Sequence, residues 1–255
     1  MKFEDLFGLK DEVAIVTGGG AGIGRAICRL FAKAGASVIV SDLDTEAAYK
    51  VADEIKANGD KAFGKSCDVT KEEELANLVD ETIEKFGKIT ILVNNVGGGG
   101  PKPFDMPMDD FIWAYKLNVF SGFRLSQLCV PYMEKIRHGS ILNISSMAAE
   151  NINVNMTSYS SSKAAVNHLT RNMAFELGPK GIRVNAVAPG AIMTQALETV
   201  LTPEIENNML KKTPLGRLGY PDDIAQAALF LCSPAASWIS GQILTVSGGG
   251  TQELD

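Results

Sequence analysis

The chain has 255 residues, of which 45% are hydrophobic and 21% charged, and its net charge is -6. This length and composition suit one globular domain with its own core, and the acidic balance argues against a nucleic-acid partner. The amino-terminal segment is acidic and lacks the apolar stretch of a signal peptide. No apolar run is long enough to span a bilayer. The four cysteines are scattered along the chain and do not have the spacing of a metal-binding motif. We therefore expect a cytoplasmic protein with no membrane span and no metal.

Short apolar strands alternate with helical segments along the chain. Strands are predicted at residues 13–17, 37–40, 62–67, 89–93, 140–144, 184–187 and 243–246. Helices are predicted at residues 22–33, 45–58 with Thr45 as the cap, 71–86, 108–136, 158–177 and 221–231. This alternation predicts an α/β fold, a Rossmann-type doubly wound parallel sheet of about seven strands in a single domain over residues 1–255. Residues 191–213 fit no element and are predicted to form a substrate lid.

A glycine-rich turn, TGGGAGIG at residues 17–24, joins the first predicted strand to the first predicted helix. Glycine permits a sharp turn and a close approach of the backbone to a pyrophosphate, and the free N–H groups of a helix N-terminus favour phosphate. Such a turn is weak evidence alone, but a strand before it, a helix after it and an acidic residue beyond the second strand are typical of a dinucleotide site. The predicted contacts in the turn are Gly18, Gly22, Ile23 and Gly24.

Asp42 follows the second predicted strand and is predicted to select the cofactor. A carboxylate there can accept hydrogen bonds from both hydroxyls of an adenosine ribose, and it repels the additional phosphate of NADP. Its neighbours Leu43 and Asp44 are not basic, and the nearest cation in the first helix is Arg25. We therefore predict NAD as the cofactor, with Asp42 and Leu43 as contacts. The alternative, that an acidic residue here only caps the next helix, suits Asp44 or Thr45 better.

Tyr159 and Lys163 form a Tyr-x-x-x-Lys pattern in a predicted helix, and this spacing places both side chains on one face. A phenol with its ordinary pKa of about 10 is a poor base at neutral pH. A neighbouring ammonium lowers that pKa and suits the phenol to proton transfer with an alcohol or a carbonyl. Taken alone, the same spacing also fits a solvated helix face. Ser145 and Ser146 support the catalytic interpretation, because they follow the fifth strand at the edge where open α/β sheets bind ligands.

The turn TGxxxGIG and the Tyr-x-x-x-Lys pattern together resemble the short-chain dehydrogenase/reductase family, and the resemblance spans nearly the whole chain. It implies that Ser146, rather than Ser145, acts with Tyr159 and Lys163. It also implies that Asn118 kinks the long helix and helps to relay protons through water. A homotetramer is the assembly that the family implies.

Further segments extend the resemblance around the cofactor. Residues 94–97, NNVG, are similar to the family's NNAG, with Val96 in place of alanine. Asp68-Val69 resembles the family's pair near the adenine, and residues 189–194 resemble its segment around the nicotinamide carboxamide and the phosphates. The cofactor contacts implied by these matches are Asp68, Val69, Asn95, Tyr159, Lys163, Ile192 and Thr194.

Three segments resemble one branch of this family, the bacterial 7α-hydroxysteroid dehydrogenases: residues 97–108, 146–151 and 237–250. The resemblance implies NAD-dependent oxidation of the 7α-hydroxyl of a bile acid or similar steroid to a ketone. The implied substrate contacts are Gly99, Ser146, Asn151 and Tyr159. The four glycines at 97–100 leave room for a broad rigid substrate, although they equally suit a flexible loop. Apolar lid residues are candidates to cover a steroid face or to pack on the core or on a neighbouring subunit: Ile192, Met193, Ala196, Leu197, Val200, Leu201 and Met209.

Other functions fit parts of the same pattern. A 3-oxoacyl-carrier-protein reductase usually uses NADPH, which Asp42 disfavours, and it needs a basic patch for its acidic carrier. A polyol or sugar dehydrogenase needs a more polar lid. A nucleotide-sensing regulator on the same fold has little need for Ser146, Asn118, Tyr159 and Lys163 together, so their joint presence favours an enzyme.

Overall fold

The structure is a computed structural model that describes residues 3–250. Seven strands are present in this range: β1 Val13–Thr17, β2 Ser37–Asp42, β3 Lys61–Ser66, β4 Ile91–Asn94, β5 Gly139–Ile144, β6 Ile182–Pro189 and β7 Ile243–Val246. The same range contains ten α-helices: α1 Phe3–Phe7, α2 Gly22–Lys33, α3 Thr45–Ala57, α4 Glu72–Phe86, α5 Met108–Tyr115, α6 Ser121–Ile136, α7 Thr157–Leu177, α8 Gln195–Glu198, α9 Pro203–Lys211 and α10 Pro221–Cys232. The ends of the predicted domain, residues 1–2 and 251–255, lie outside the described residues.

The seven strands form one parallel sheet in the order β3-β2-β1-β4-β5-β6-β7. The direction of the strand order reverses between β1 and β4, and a crevice forms at this point outside the carboxyl ends of the strands. The predicted α/β fold with a doubly wound parallel sheet is confirmed.

Side chains of each central strand alternate between two helical layers, so these strands are apolar along their whole length. In β1, Ala14 and Val16 pack in a core with α2, α3 and α10. Val13 and Ile15 pack in a second core with α4, α6 and α7. The two cores hold the sheet rigidly from both faces. This fixes the positions of the loops that follow the carboxyl ends of the strands.

The helix predicted over 108–136 is confirmed at both ends, but a π-helical turn, Lys116–Phe120, interrupts the α-helical pattern between α5 and α6. The Ser121 N–H donates to the Lys116 carbonyl five residues earlier, which widens the helix by one residue. Asn118 lies in this turn. The structure therefore has a widened helical turn at the residue where the family resemblance implies a kink.

Two local predictions need correction. Asp44, not Thr45, caps α3, because its carboxylate accepts a hydrogen bond from the Ala47 N–H at 3.1 Å. The segment 191–213, in which no element was predicted, contains α8 and α9, each with a threonine as its N-cap. Both helices are too short to show the apolar period that predicts longer ones.

The part of the chain that the structure describes contains no helix long and apolar enough to cross a membrane. Among the same residues, no group of three or more His, Cys, Asp and Glu side chains is placed to hold a metal ion. All four cysteines are free and buried. Burial raises the pKa of Cys67 to about 11 and the pKa of Cys232 to about 12, which makes these thiols poor nucleophiles.

Candidate active site

The glycine-rich turn after β1 requires glycine at two positions. Gly18 has φ +63°, in the left-handed region that favours glycine. A Cβ on Gly24 would lie 2.0 Å from the Gly18 carbonyl oxygen, so the turn closes too tightly for a side chain there. Asn95 holds the turn in place, because its Nδ2 donates to the carbonyl oxygens of Thr17 at 2.9 Å and of Gly18 at 3.1 Å. The turn forms a cradle of backbone at the end of β1.

The first turn of α2 directs uncapped N–H groups toward this cradle. Its N-cap is Ala21, which has no side-chain oxygen and makes no capping hydrogen bond. Gly22, with φ +51°, and Ile23 begin the helix. Free N–H groups and the positive end of the helix dipole favour an anion. The residues present therefore fit the pyrophosphate of a dinucleotide.

Replacing Gly24 by alanine is expected to weaken NADH binding at least about tenfold. The added Cβ forces the turn apart, and overpacking of this kind costs about 1–3 kcal/mol, where 1.4 kcal/mol is tenfold in affinity. Fluorescence titration of the purified protein with NADH measures the change. The matched control is Gly178→Ala, where a Cβ meets nothing within 4 Å. Equal NADH affinity in Gly24→Ala and wild type would rule out this turn as the nucleotide site.

Asp42 ends β2 beside the cradle. Its carboxylate accepts hydrogen bonds from the N–H groups of Gly20 at 2.9 Å and Asp44 at 3.0 Å, which fixes the orientation of both oxygens. Arg25, the cation nearest in sequence, is paired with Glu54 at 2.8 Å. A fixed carboxylate suits the hydroxyls of a ribose, and the engaged arginine offers no counter-charge for a phosphate. The geometry fits NAD better than NADP.

Three further residues predicted to bind the cofactor follow β2 and β3. The Leu43 side chain is 71% exposed. The Asp68 carboxylate accepts hydrogen bonds from the N–H and the hydroxyl of Thr70, at 2.9 and 2.7 Å, and these bonds lower the pKa of Asp68. Val69 is buried in the core that contains α4. Asp68 therefore stabilises its own turn, and Leu43 is the most accessible of the three.

Ser146, Tyr159 and Lys163 lie together where the end of β5 meets α7. The Tyr159 phenol is hydrogen-bonded to the Ser146 side chain. The Lys163 Nζ lies 5.8 Å from the centre of the phenol ring and donates to the Ile144 carbonyl at 2.8 Å. Ser145 is buried, and its hydroxyl donates to the Lys163 carbonyl at 3.3 Å. Ser146 is therefore the serine beside the phenol.

Asn118 connects the π-helical turn to the loop after β4 and to α7. Its Oδ1 accepts from the Gly98 N–H at 2.9 Å, and its Nδ2 donates to the Gly98 carbonyl at 2.8 Å and to the Ser162 hydroxyl at 2.9 Å. The Ser162 hydroxyl donates in turn to the Tyr159 carbonyl at 2.7 Å. Both amide hydrogens of Asn118 are thus used, and its side chain positions the first turns of α7.

The pKa values of the two ionisable groups follow from burial. Burial raises the pKa of Tyr159, and the hydrogen bond with Ser146 offsets only part of that rise. Burial lowers the pKa of Lys163 to about 8. The Lys163 Nζ donates its hydrogen bond to the Ile144 carbonyl, and the lowering of the Tyr159 pKa by Lys163 stays a prediction. At neutral pH Tyr159 is a neutral phenol, the form that donates a proton.

A cleft of about 490 Å³ opens beside Ser146, between the loop after β5 and α9. Of the predicted substrate contacts, Ser146 and Asn151 line this cleft. Gly99 lies on the neighbouring loop against α5, where a Cβ would be 3.3 Å from the Ala114 Cβ, and it does not line the cleft. The volume lies in the ordinary range for a small-molecule site.

The base of the segment 191–213 is held by backbone pairing. The Met193 N–H donates to the Gly219 carbonyl at 2.7 Å, and the Gly219 N–H donates to the Ala191 carbonyl at 2.9 Å. Ile192, which was a candidate to cover a steroid face, is 8% exposed and packs in the core with α2 and α10. Thr194 caps α8, and its methyl lies 3.5 Å from where a Cβ on Gly22 would be, so it faces the cradle.

Sequence reasoning missed the part of Gly97 in the catalytic cluster. A Cβ there would lie 2.7 Å from the Lys163 Nζ and 3.0 Å from the Asn118 Oδ1. Gly97 thus leaves the space that both side chains occupy. Its place at the end of the motif NNVG was the available signal.

A buried chain of polar side chains behind the cluster was also missed. Asn94 Nδ2 donates to Asn143 Oδ1 at 2.9 Å, and Asn143 Nδ2 donates to the Thr170 hydroxyl at 2.9 Å. These bonds join β4, β5 and α7 beneath the catalytic residues. No sequence signal identifies them, because the partners are 27 and 49 residues apart.

Comparison with known proteins gives consistent matches along the chain. A family model described as enoyl-(acyl carrier protein) reductase matches residues 18–251. The chain is 66% identical over 247 residues to the 7α-hydroxysteroid dehydrogenase of Escherichia coli K12, covering 97% of each chain. It is 37% identical to the 3-oxoacyl-[acyl-carrier-protein] reductase of Thermotoga maritima, covering 94% of this chain and 98% of that one. A solved 7α-hydroxysteroid dehydrogenase, complexed with NADH and 7-oxo glycochenodeoxycholic acid, covers 100% of both chains with a TM-score of 0.97 and 65% identity.

Proposed function

This chain belongs to the short-chain dehydrogenase/reductase family, and on that premise we propose that it oxidises the 7α-hydroxyl of a bile acid or similar steroid to a ketone, with NAD as the hydride acceptor. The observation that carries the proposal is the 66% identity, over 97% of both chains, with a 7α-hydroxysteroid dehydrogenase. The cleft beside Ser146 supports it, because it is large enough for a small rigid substrate and one of its lining residues, Ser146, belongs to the catalytic cluster.

The chain's own residues supply the proton chemistry. Hydride acceptance from the carbinol carbon is the chemistry that NAD provides when bound. Tyr159, as phenolate, takes the hydroxyl proton while the carbon–oxygen bond becomes a ketone, and as neutral phenol it returns that proton in the reverse direction. Ser146 donates a hydrogen bond to the substrate oxygen and holds it beside the phenol. Lys163 holds the nicotinamide ribose through its Nζ.

The remaining residues hold the cofactor and the cluster in place. Asp42 would bind the adenosine ribose, and Leu43, Asp68 and Val69 would hold the adenine. Asn95 and the glycine turn shape the pyrophosphate cradle. Ile192 and Thr194, at the start of the segment 191–213, would hold the nicotinamide end of the cofactor. Asn118 positions the turn of α7 that carries Tyr159 and gives water a path at the widened helix.

The test follows NADH absorbance with purified protein, cholic acid and chenodeoxycholic acid, and it uses the 7β-hydroxy epimer of chenodeoxycholic acid as control. Turnover of the two 7α acids, with none of the 7β epimer, is the expected result. An enzyme that binds NADH and turns over no bile acid is not a 7α-hydroxysteroid dehydrogenase. Activity toward an acyl-carrier or polyol substrate in the same protein would assign it to one of those classes.

NAD is expected to be preferred over NADP by at least about a hundredfold in kcat/KM, because the Asp42 carboxylate repels the additional phosphate. Asp42→Ser is expected to lower kcat/KM with NAD about tenfold, since a hydrogen bond to a charged group contributes about 1.5–3 kcal/mol. Initial rates at varied cofactor concentration measure both values. Asp53→Ser, on the exposed side of α3, is the control. A wild-type enzyme that uses NADP as well as NAD contradicts the role given to Asp42.

The segment 191–213 acts as a lid over the substrate. Its start is held by the burial of Ile192 in the core and by the pairing with Gly219, whereas Val200 in its middle is 61% exposed. Exposed apolar side chains also border the same edge of the sheet: Phe104, Ile152 and Val154. A bound steroid gives these groups an apolar surface to contact.

A homotetramer in the cytoplasm is the expected state. Phe175 on α7 is 88% exposed, Phe120 is 56% exposed and Trp238 is 99% exposed, and a second and third copy of the chain would cover these apolar surfaces. Four free, buried cysteines suit a reducing compartment. Light scattering of the purified protein measures the assembly.

A further inference from the structure

The chain of polar side chains behind the catalytic cluster has a fixed direction. The Thr170 hydroxyl donates to the Val166 carbonyl at 2.8 Å, so it can only accept from Asn143 Nδ2, at 2.9 Å. Asn143 Oδ1 is then the atom that faces Asn94, and it accepts from Asn94 Nδ2 at 2.9 Å. The orientation of both amides is therefore set from α7, and Asn94 Oδ1 lies on the side of its amide away from Asn143.

Asn94 Oδ1 is buried and has no hydrogen-bond donor among the residues that the structure describes. The other hydrogen of its amide is also used, because Nδ2 donates to the Ser126 hydroxyl at 3.2 Å. That hydroxyl donates to the Gly122 carbonyl at 2.7 Å, so it has no hydrogen to offer the amide oxygen. A buried acceptor without a partner is destabilising and rare in native proteins, which calls for a donor at this position.

Asn94 lines a cavity of about 20 Å³ between β4, β5, α6, α7 and the π-helical turn. The Thr17 hydroxyl, which also lines it, donates to the Val93 carbonyl at 3.3 Å, and the Ser121 hydroxyl donates to the Leu117 carbonyl at 2.5 Å. The hydroxyls around the cavity therefore offer oxygen lone pairs rather than hydrogens. A cavity holds one water when it has at least about 10–15 Å³ and two to four polar partners. Asn94 shares the lining with enough of them: Thr17, Asn118, Ser121, Ser126 and Asn143.

We propose that one water molecule is bound in this cavity, where it donates a hydrogen bond to Asn94 Oδ1. The occupant must be a donor, because the free atom is an acceptor. None of the described residues that line the cavity is charged, so a cation would be buried there without a counter-charge, which is costly. Water meets both conditions and the size. The site connects β4 to the turn that carries Asn118, and it goes beyond the proposed function because it does not depend on the substrate.

The test is a crystal structure of the wild-type protein with NADH bound, at a resolution that shows ordered water. The expected result is one peak within about 2.7–3.2 Å of Asn94 Oδ1, at the same position in crystals grown from different salts. Absence of a peak, or an amide turned so that Nδ2 faces the cavity, overturns the inference. A peak that appears with one salt alone is an ion and also overturns it.

Gly122→Ala provides a second measurement, because Gly122 lines the cavity and a Cβ there would lie 3.2 Å from Asn94 Cγ. The methyl is expected to displace the water and to lower Tm by at least about 3 °C, although alanine favours a helix more than glycine does. Gly178→Ala, where a Cβ meets nothing within 4 Å, is the matched control and should keep the wild-type Tm.

A Gly122→Ala protein with an equal or higher Tm overturns the inference, because that is the result of filling a dry cavity. A lower Tm combined with no water peak in the wild-type crystal shows strain between the methyl and Asn94, and it overturns the inference as well. A water peak in the wild type that is lost in Gly122→Ala together with stability supports it.

Discussion

Replacing Tyr159 by phenylalanine is expected to lower kcat for 7α-hydroxyl oxidation by about 10²–10⁴-fold, the range for loss of a positioned proton-transfer group. Phenylalanine keeps the ring, so the packing of α7 is preserved and only the hydroxyl that meets Ser146 is lost. NADH affinity is expected to fall by no more than about tenfold, since the predicted contact of Tyr159 with the cofactor is a single hydrogen bond. Steady-state rates and a fluorescence titration with NADH separate the two effects.

The pH dependence of kcat/KM provides a second test of proton transfer by Tyr159. Burial raises its pKa above the ordinary value, so at neutral pH only a small fraction is the phenolate that accepts a proton. Wild-type kcat/KM for oxidation should therefore rise as pH rises toward that pKa, and reduction of the ketone should be favoured at lower pH. Tyr159→Phe should lose this dependence.

Tyr132→Phe is the control for the same chemical change, because Tyr132 is half-buried on α6 and packs beside the core away from the cluster. Its rate and its pH profile should match those of the wild type. A Tyr159→Phe enzyme with more than a tenth of wild-type kcat would show that another group transfers the proton.

The helices and strands could be predicted from the sequence wherever a single spacing of apolar residues continues without interruption. Strand β1 and helix α2 have the predicted bounds, since a β-branched run and a glycine turn mark their limits. Strand β2 extends two residues further, to Asp42, because it pairs with β3 along its whole length. The π-helical turn at Asn118 was not predictable from apolar spacing, which continues through it and identifies only a helix.

Within the site, residue identities were predictable, whereas their electrostatic state was not. Ser146, Tyr159 and Lys163 are brought together by elements that local patterns identify. The pKa values depend instead on burial, which arises from contacts distant in sequence, such as the Lys163 Nζ with the Ile144 carbonyl. Helices α8 and α9 were missed although Thr202 and Pro203 are a usual cap and first residue, because two turns carry too little apolar period.

Replacing Lys163 by methionine is expected to abolish most activity and, at the same time, to stabilise the fold. Activity should fall at least about a hundredfold, because the substitution removes the Nζ that is proposed to hold the nicotinamide ribose. Stability should rise because the ammonium is 3% exposed and burial lowers its pKa from 10.5 to about 8. A shift of that size corresponds to a cost of about 3 kcal/mol at neutral pH. Loss of the hydrogen bond from the charged Nζ to the Ile144 carbonyl offsets about 1.5–3 kcal/mol, which leaves a net gain of up to about 1.5 kcal/mol.

The direction in which the stability difference changes with pH distinguishes removal of the buried charge from better packing of the methionine side chain. The charged lysine penalises the fold fully below pH 8, and the penalty disappears between about 8 and 10.5, where the folded protein loses the proton before the unfolded chain does. The advantage of Lys163→Met in urea unfolding should therefore shrink over that interval. The buried cysteines and Tyr159 titrate in both proteins, so their contributions cancel when the two free energies of unfolding are subtracted. Lys50→Met, at an exposed position of α3, should change stability little at any pH. A Lys163→Met protein that is less stable than the wild type at pH 7 would contradict this prediction. A variant that is more stable but inactive would show that the lysine is kept for activity although it lowers the stability of the fold.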